Sequence, residues 1–336
     1  MRCARPYASV HRALGYDAGS MRPDLLTIPG TDFVVPAYGF LVGLGLVLGW
    51  ISSLRRARQD RLPHEELGTA YVLSVVFATF GAHALWLAQH PDAIDGPASF
   101  VQLTAGTFAT GGGLIMGVCA SLVFCARRGV PFFAWADCAA PAALLALALE
   151  RVGAFLAGTG FGNLIDPANP LGVRFPARSP VYAFQAVALE GLHLEQDASL
   201  AVHPVQLYGA VAFLCAAGVC ALWRRHRRFS GQIACFALAA FAAVRMLLED
   251  PFRADRSPEL LGPVRLGHAT AAVFIAIAAV IYLRRARLER THPGSLRRFE
   301  GGRWSPMEEG ERAKRTAGGR GKGSRAAKTK RKRRKK

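Results

Sequence analysis

Arg151, Arg245 and Glu249 are the residues of this chain best placed to do chemistry. Arg151 closes the apolar run AWADCAAPAALLALALE, and Arg245 lies within GQIACFALAAFAAVRMLLED, one helical turn ahead of Glu249. A charge at membrane depth costs about 2.5–3.5 kcal/mol on insertion scales, so such residues default to a functional role. Guanidinium is a planar fork that can hold a phosphate through two parallel hydrogen bonds. Two arginines at that depth point to a site for an anionic headgroup reached from within the bilayer. The competing reading is structural, with Arg245 paired to Glu249 at i, i+4 and Glu150 beside Arg151 at a helix end.

Other residues could join this site. His203 precedes Pro204 in HPVQLY, near the N-cap of a helix, where it is either a capping or packing group or a member of the same cavity. Tyr38, near the outer end of the first apolar run, is either an interfacial anchor or a hydroxyl aimed at a headgroup. His83, inside FGAHALWLAQH, reads first as a packed histidine with a satisfied ring and second as a functional one. Gly111, Gly112, Gly113 and Gly117 strip one helix surface of side chains, which permits close helix contact or makes room for a lipid.

The elements that must position these residues follow from hydropathy. Of the 336 residues, 51% are hydrophobic, above the usual share for a soluble domain. Seven stretches are long and apolar enough to span a bilayer, at roughly 34–54, 69–89, 108–126, 131–157, 204–223, 231–250 and 266–283. The fourth is the least regular, because Asp137, Pro141 and Glu150 interrupt it. The expected fold class is an all-α polytopic membrane protein, with a periplasmic head insertion at 158–203 between spans 4 and 5. A loop of that length is usually functional, and short strands or an interfacial helix are expected in it. Glycines following Arg151 should end or bend the fourth helix there. The expected domain organisation is an N-terminal extension over 1–33, a membrane domain over 34–290 and a basic tail over 291–336.

Arginine clusters follow spans 1, 3, 5 and 7, as LRRARQDR, ARRG, WRRHRR and LRRARLER, whereas the segment between spans 2 and 3 has no Lys or Arg. The positive-inside rule then puts the N-terminus outside and the C-terminus in the cytoplasm. Residues 293–336 hold 17 Lys/Arg against 4 Asp/Glu, so this segment carries +13 of the net +19. With almost nothing apolar in it, the tail is expected to be disordered. Its expected partner is the anionic membrane surface. Attraction to nucleic acid would be weak and non-specific, and no aromatic interleaving supports more. None of the seven cysteines sits in a CxxC pair or at metal-ligand spacing, so they read as apolar packing residues, with no metal or other cofactor implied. Residues 1–20 lack an apolar core of signal-peptide length, and Met21 reads as the natural start.

Taken together these pieces resemble bacterial prolipoprotein diacylglyceryl transferase. The matching segments are IPG with PAYGFLVGLGLVLG, then GGLIMG, RVGAFLAGTGFG, GVRFP, HPVQLYGA and RMLLEDPFRAD, in order across most of residues 21–290. The resemblance implies a seven-helix core with an external head after the fourth helix, in the bacterial inner membrane. It implies an enzyme that moves the diacylglyceryl group of phosphatidylglycerol to the lipobox cysteine thiol of prolipoprotein signal peptides. Arg151 and Arg245 would bind the lipid phosphate and leaving group, and Glu249 would hold Arg245 or move a proton. His203 and Tyr38 match family positions, and Gly112, Gly113 and Gly153 would line the lipid. The chain departs from the family pattern at Gly111, Glu150, Ala154, Ala157, Thr159 and Gly209, and a basic position of span 2 is His83. The alternative implied by these departures is a non-catalytic, lipid-binding paralogue. A transporter for an anionic solute would also use buried arginines, but no internal repeat of the transporter kind is visible. Deleting residues 293–336 is expected to leave the chemistry intact; an activity assay on correctly inserted, truncated protein checks this.

Overall fold

In a bilayer the backbone has no water to bond, so long apolar runs must close their hydrogen bonds within helices. The computed structural model describes residues 24–27, 34–103, 107–177, 179–188, 198–254, 259–261 and 264–292. The expected N-terminal extension before Asp24 and the basic tail after His292 lie outside the described residues. Seven helices are long and apolar enough to cross a membrane. They are α1 (Ala37–Gln59), α2 (His64–Gln89), α3 (Thr110–Arg128), α4 (Phe132–Ala157), α6 (Val205–Trp223), α7 (Gln232–Val244, prolonged to Phe252) and α8 (Leu266–Thr291). The short α5 (Pro180–Ala188) lies in the head. Among the described residues the only sheets are two antiparallel pairs, β1 (Asp24–Thr27) with β2 (Val34–Pro36) and β3 (Glu259–Leu261) with β4 (Val264–Arg265). The protein is thus an all-α polytopic membrane protein in its framework.

Several helices outrun their apolar stretches. α1 continues through Arg55 and Arg58 to Gln59, and α8 continues through Arg284 to Thr291. Arginine is a good helix former, and its charge suits a helix C-terminus. Hydropathy falls at the first arginine while the backbone stays helical. α3 and α4 both end in a left-handed glycine, Gly129 at φ 66° and Gly158 at φ 68°. A residue without Cβ takes that conformation without strain and closes the last turn.

The fourth span runs as one helix despite Asp137 and Pro141. Asp137 is fully buried and belongs to its neighbour's architecture. Its Oδ2 accepts a hydrogen bond from the Gly231 amide at 2.8 Å, and its Oδ1 accepts one from the Ala234 amide at 2.9 Å. It therefore caps α7 from across the bundle, satisfying amides that have no partner in their own helix.

Glycine sets the closest approaches. A Cβ on Gly112 would collide with the Gly81 carbonyl of α2, and one on Gly113 would come 3.1 Å from the Ala78 carbonyl. On the other side of the bundle a Cβ on Gly45 of α1 would lie 3.1 Å from the Ala146 Cα of α4. In these small-residue seams, dispersion between backbones replaces the hydrophobic drive that lipid removes. α4 packs against α1, α6 and α7 and is the centre of the bundle.

One end of the bundle carries the arginine clusters. There Asp60 holds two guanidinium groups, Arg224 at 2.8 Å and Arg227 at 2.7 Å, and Arg224 donates to the Arg56 carbonyl. This ties the end of α1 to the end of α6. The opposite end carries the head, residues 158–203, which the Gly162–Arg253 bridge joins to the end of the sixth span and which the Leu164–Val202 and Val173–Val202 bridges hold together internally. Phe161, Phe175, Val181 and Val202 form its own small core with α5 above them.

Replacing Asp137 with alanine should leave two buried amides without partners, at about 1–3 kcal/mol each. The expected result is a clear fall in the unfolding temperature in detergent, with Asp137→Asn falling less because one acceptor survives.

Candidate lipid-phosphate site

Three elements meet at the head end. α4 delivers Glu150 and Arg151 in its last two turns, α6 delivers Gly209 from its first turns, and the continuation of α7 delivers Arg245 and Glu249. Arg245–Glu249 is wound as a single π turn between Val244 and Asp250. An extra residue in a helical turn re-aims the side chains around it, and such turns recur at functional sites.

Glu249 is the hub of the cluster. It is 1% exposed, and its two oxygens each meet a different arginine. Oε1 lies 2.9 Å from Arg151 Nε, and Oε2 accepts a hydrogen bond from Arg245 Nη1 at 2.9 Å. The Arg151 contact is an ion pair rather than an aligned hydrogen bond, since its N–H points off the line. Arg151 Nε also stands 3.4 Å from Glu150 Oε2. Arg151 is 6% exposed, whereas the side chain of Arg245 is 28% exposed and forms the open rim. The charge of Arg253 acts on all three, and its guanidinium lies against Gly160. Three arginines thus stand among Glu150, Glu249 and Asp250, with the formal charges in balance.

Both structural pairings anticipated from the sequence exist, and they coexist in one network. Glu249 bridges the two arginines instead of serving Arg245 alone. Arg151 meets both carboxylates through Nε, and Arg245 meets Glu249 through Nη1. Two guanidinium forks thus converge on one carboxylate, side chains of the kind that can hold an oxyanion.

Two glycines make the convergence fit. A Cβ on Gly209 would lie 3.1 Å from Glu249 Oε1 and 3.5 Å from the Arg151 side chain, so α6 must be bare there. A Cβ on Gly153 would lie 3.2 Å from the Tyr38 Cα. That close crossing of α1 and α4 brings Tyr38 to the Glu150 carboxylate and into the field of Arg151.

The remaining sequence candidates lie elsewhere or are engaged. Gly112 and Gly113 abut α2 at Gly81 and Ala78. His203 holds the head: its amide donates to the Asn163 carbonyl and its carbonyl accepts from the Gly162 amide, both at 3.0 Å. Its ring packs on Phe252, and Nδ1 lies 3.3 Å from the Tyr208 hydroxyl. No contact joins it to Arg151, Arg245 or Glu249 among the described residues. His83 is buried, with Nδ1 3.1 Å from the Thr107 carbonyl oxygen and Nε2 2.8 Å from that of Ser99, so it pins the α2–α3 loop. Gln206 was not singled out by sequence reasoning, yet it is buried and donates from Nε2 to the Thr159 carbonyl at 2.9 Å, fixing the turn after Arg151. Its amide type within HPVQLY was the available signal.

Fold and site together define a seven-span membrane protein in which Arg151 and Arg245 share one buried carboxylate. The family model for prolipoprotein diacylglyceryl transferase matches residues 23–284, and the chain belongs to that family. Among curated relatives, the phosphatidylglycerol–prolipoprotein diacylglyceryl transferases of Bacillus cereus (strain B4264), Bacillus thuringiensis subsp. konkukian (strain 97-27) and Bacillus anthracis (strain A0248) are each 23% identical over 266 residues, covering 79% of this chain and 93% of theirs.

Removing the shared anion should strand the buried Arg151 and the partly exposed Arg245. Glu249→Gln is expected to destabilise the protein by about 3–5 kcal/mol, the usual consequence of breaking one side of a buried pair. Denaturant unfolding in detergent measures it; an unchanged midpoint would show that the network is not structural.

Proposed function

We propose that the chain transfers the diacylglyceryl group of phosphatidylglycerol to the lipobox cysteine thiol of prolipoproteins, the first step of lipoprotein maturation. The observation that carries this reading is one buried carboxylate drawing two arginines to one place. In this reading the thiolate sulfur attacks the glycerol carbon that bears the phosphoester oxygen. The carbon–sulfur bond forms as the carbon–oxygen bond breaks, and glycerol phosphate leaves with a second negative charge. Arg151 and Arg245 bind the phosphate and stabilise that growing charge, a preorganised electrostatic role. Glu249 keeps both guanidiniums oriented. Tyr38 and Gly153 border the headgroup, and the thin Gly112–Gly113 face of α3 lets the helices beside the lipid path pack closely. His203 supports the head above the site.

The nucleophile comes from the peptide substrate, so no enzyme serine or cysteine is required, and no cofactor enters the balance. We assign the head end to the outside of the bacterial inner membrane and the arginine-rich end to the cytoplasm, where the basic tail would lie on the anionic leaflet.

The test is transfer in nanodiscs from labelled phosphatidylglycerol to a lipobox peptide, with a Cys→Ala peptide as control. Arg151→Ala and Arg245→Ala should each lower transfer at least about 100-fold, the scale of losing one oxyanion donor. Arg245→Lys should also be impaired, because an ammonium cannot present the same fork. The apolar or glycine character of Gly111, Ala154 and Ala157 favours a second reading, a lipid-binding paralogue without transfer. Folded protein that binds phosphatidylglycerol and transfers nothing would establish it.

A further inference from the structure

A thiol must lose its proton before it attacks, and the buried cluster offers no obvious acceptor. Glu249 and Glu150 are occupied by guanidinium groups. His83 directs both ring nitrogens at backbone carbonyls, His90 directs Nδ1 at the Trp86 carbonyl, and His203 faces Tyr208. One further histidine stands beside the cluster.

His268 occupies the first turn of α8, which packs directly on the π turn carrying Arg245 and Glu249. Its Nδ1 lies 3.4 Å from Oδ2 of the buried Asp250, the residue after Glu249. Gly267 allows this approach, because a Cβ there would overlap the Asp250 carboxylate. Nδ1 is buried and makes no aligned hydrogen bond, so Asp250 faces it as a charge at ion-pair distance, while the His268 side chain as a whole is 30% exposed. Asp250 in turn acts electrostatically on Arg245, which is itself the exposed rim of the pocket. The charged groups on the elements around this turn are Arg245 and Glu249, then Asp250 and Arg253 beyond them, and Arg265 in β4; α7 between Gln232 and Val244 contributes none.

We propose that His268 accepts the proton of the incoming cysteine thiol, with Asp250 as its positioning residue. This rests on the transferase reading given above. A carboxylate beside one imidazole nitrogen favours the tautomer with its proton there and leaves the other nitrogen to act as base. The S–H proton passes to Nε2, the thiolate attacks the glycerol carbon, glycerol phosphate departs, and the imidazolium returns the proton to the departing phosphate or to water. Asp250 also sits at the positive end of the α8 dipole, so a purely structural helix-capping role is the reading to separate from this one.

The experiment compares wild type, His268→Gln and Asp250→Asn in the nanodisc assay from about pH 6.5 to about pH 9.5, a range that brackets an ordinary thiol pKa near 8.5. At neutral pH His268→Gln should lose at least about 100-fold in kcat, as expected for a removed general base, with KM for phosphatidylglycerol little changed. The deficit should shrink steadily above the thiol pKa, where the peptide supplies its own thiolate. Asp250→Asn should show a smaller deficit with the same pH dependence. Stabilisation of each variant by phosphatidylglycerol in thermal unfolding shows that the site is intact; should His268→Gln lack it, His268→Asn takes its place. Near wild-type kcat at neutral pH, or a deficit equal at every pH, overturns the base role while leaving the transferase reading standing. Wild-type protein without any transfer overturns that reading and the base together.

Discussion

The head end of this protein depends on one carboxylate serving two cations. Glu249 lies where a lone charge could not remain, and so do Arg151 and Arg245. Each makes the others tolerable, since a buried charge survives only when paired. The geometry around them follows from that demand. The π turn brings Arg245 and Glu249 to the same face, Gly209 clears α6 from their path, and Gly153 lets α1 close over the end of α4. The bridging also keeps the two guanidiniums from repelling each other apart, so both forks stay directed at one place.

Such a network conflicts with stability in a useful way. An apolar cluster of similar volume would hold three helices together as well or better. Three arginines and three carboxylates, Glu150, Glu249 and Asp250, are gathered here in a low-dielectric setting.

Much of this was legible in the sequence, and the boundary of legibility is physical. Hydropathy and arginine placement are properties of the chain as a line, so the seven spans and the depth of Arg151, Arg245 and Glu249 could be read directly. The i, i+4 spacing announced the Arg245–Glu249 pair. What a line does not carry is lateral position. Nothing in the sequence says that Arg151 reaches the same carboxylate, that Gly209 must be bare because Glu249 lies beneath it, or that His203 is taken up by the backbone of the head. Asp137 illustrates the limit best: along α4 it reads as an interruption, while across the bundle it is the cap of another helix. Span ends were misjudged for a related reason, because arginine ends an apolar stretch without ending a helix.

That cap has a consequence for how the chain is made. α4 leaves the ribosome long before α7, so the Asp137 carboxylate enters the membrane with no amide to receive it. Until Gly231 and Ala234 arrive, the fourth segment carries a carboxyl group without those partners, which favours its neutral form. In the finished bundle the same side chain ties α4 to the start of α7.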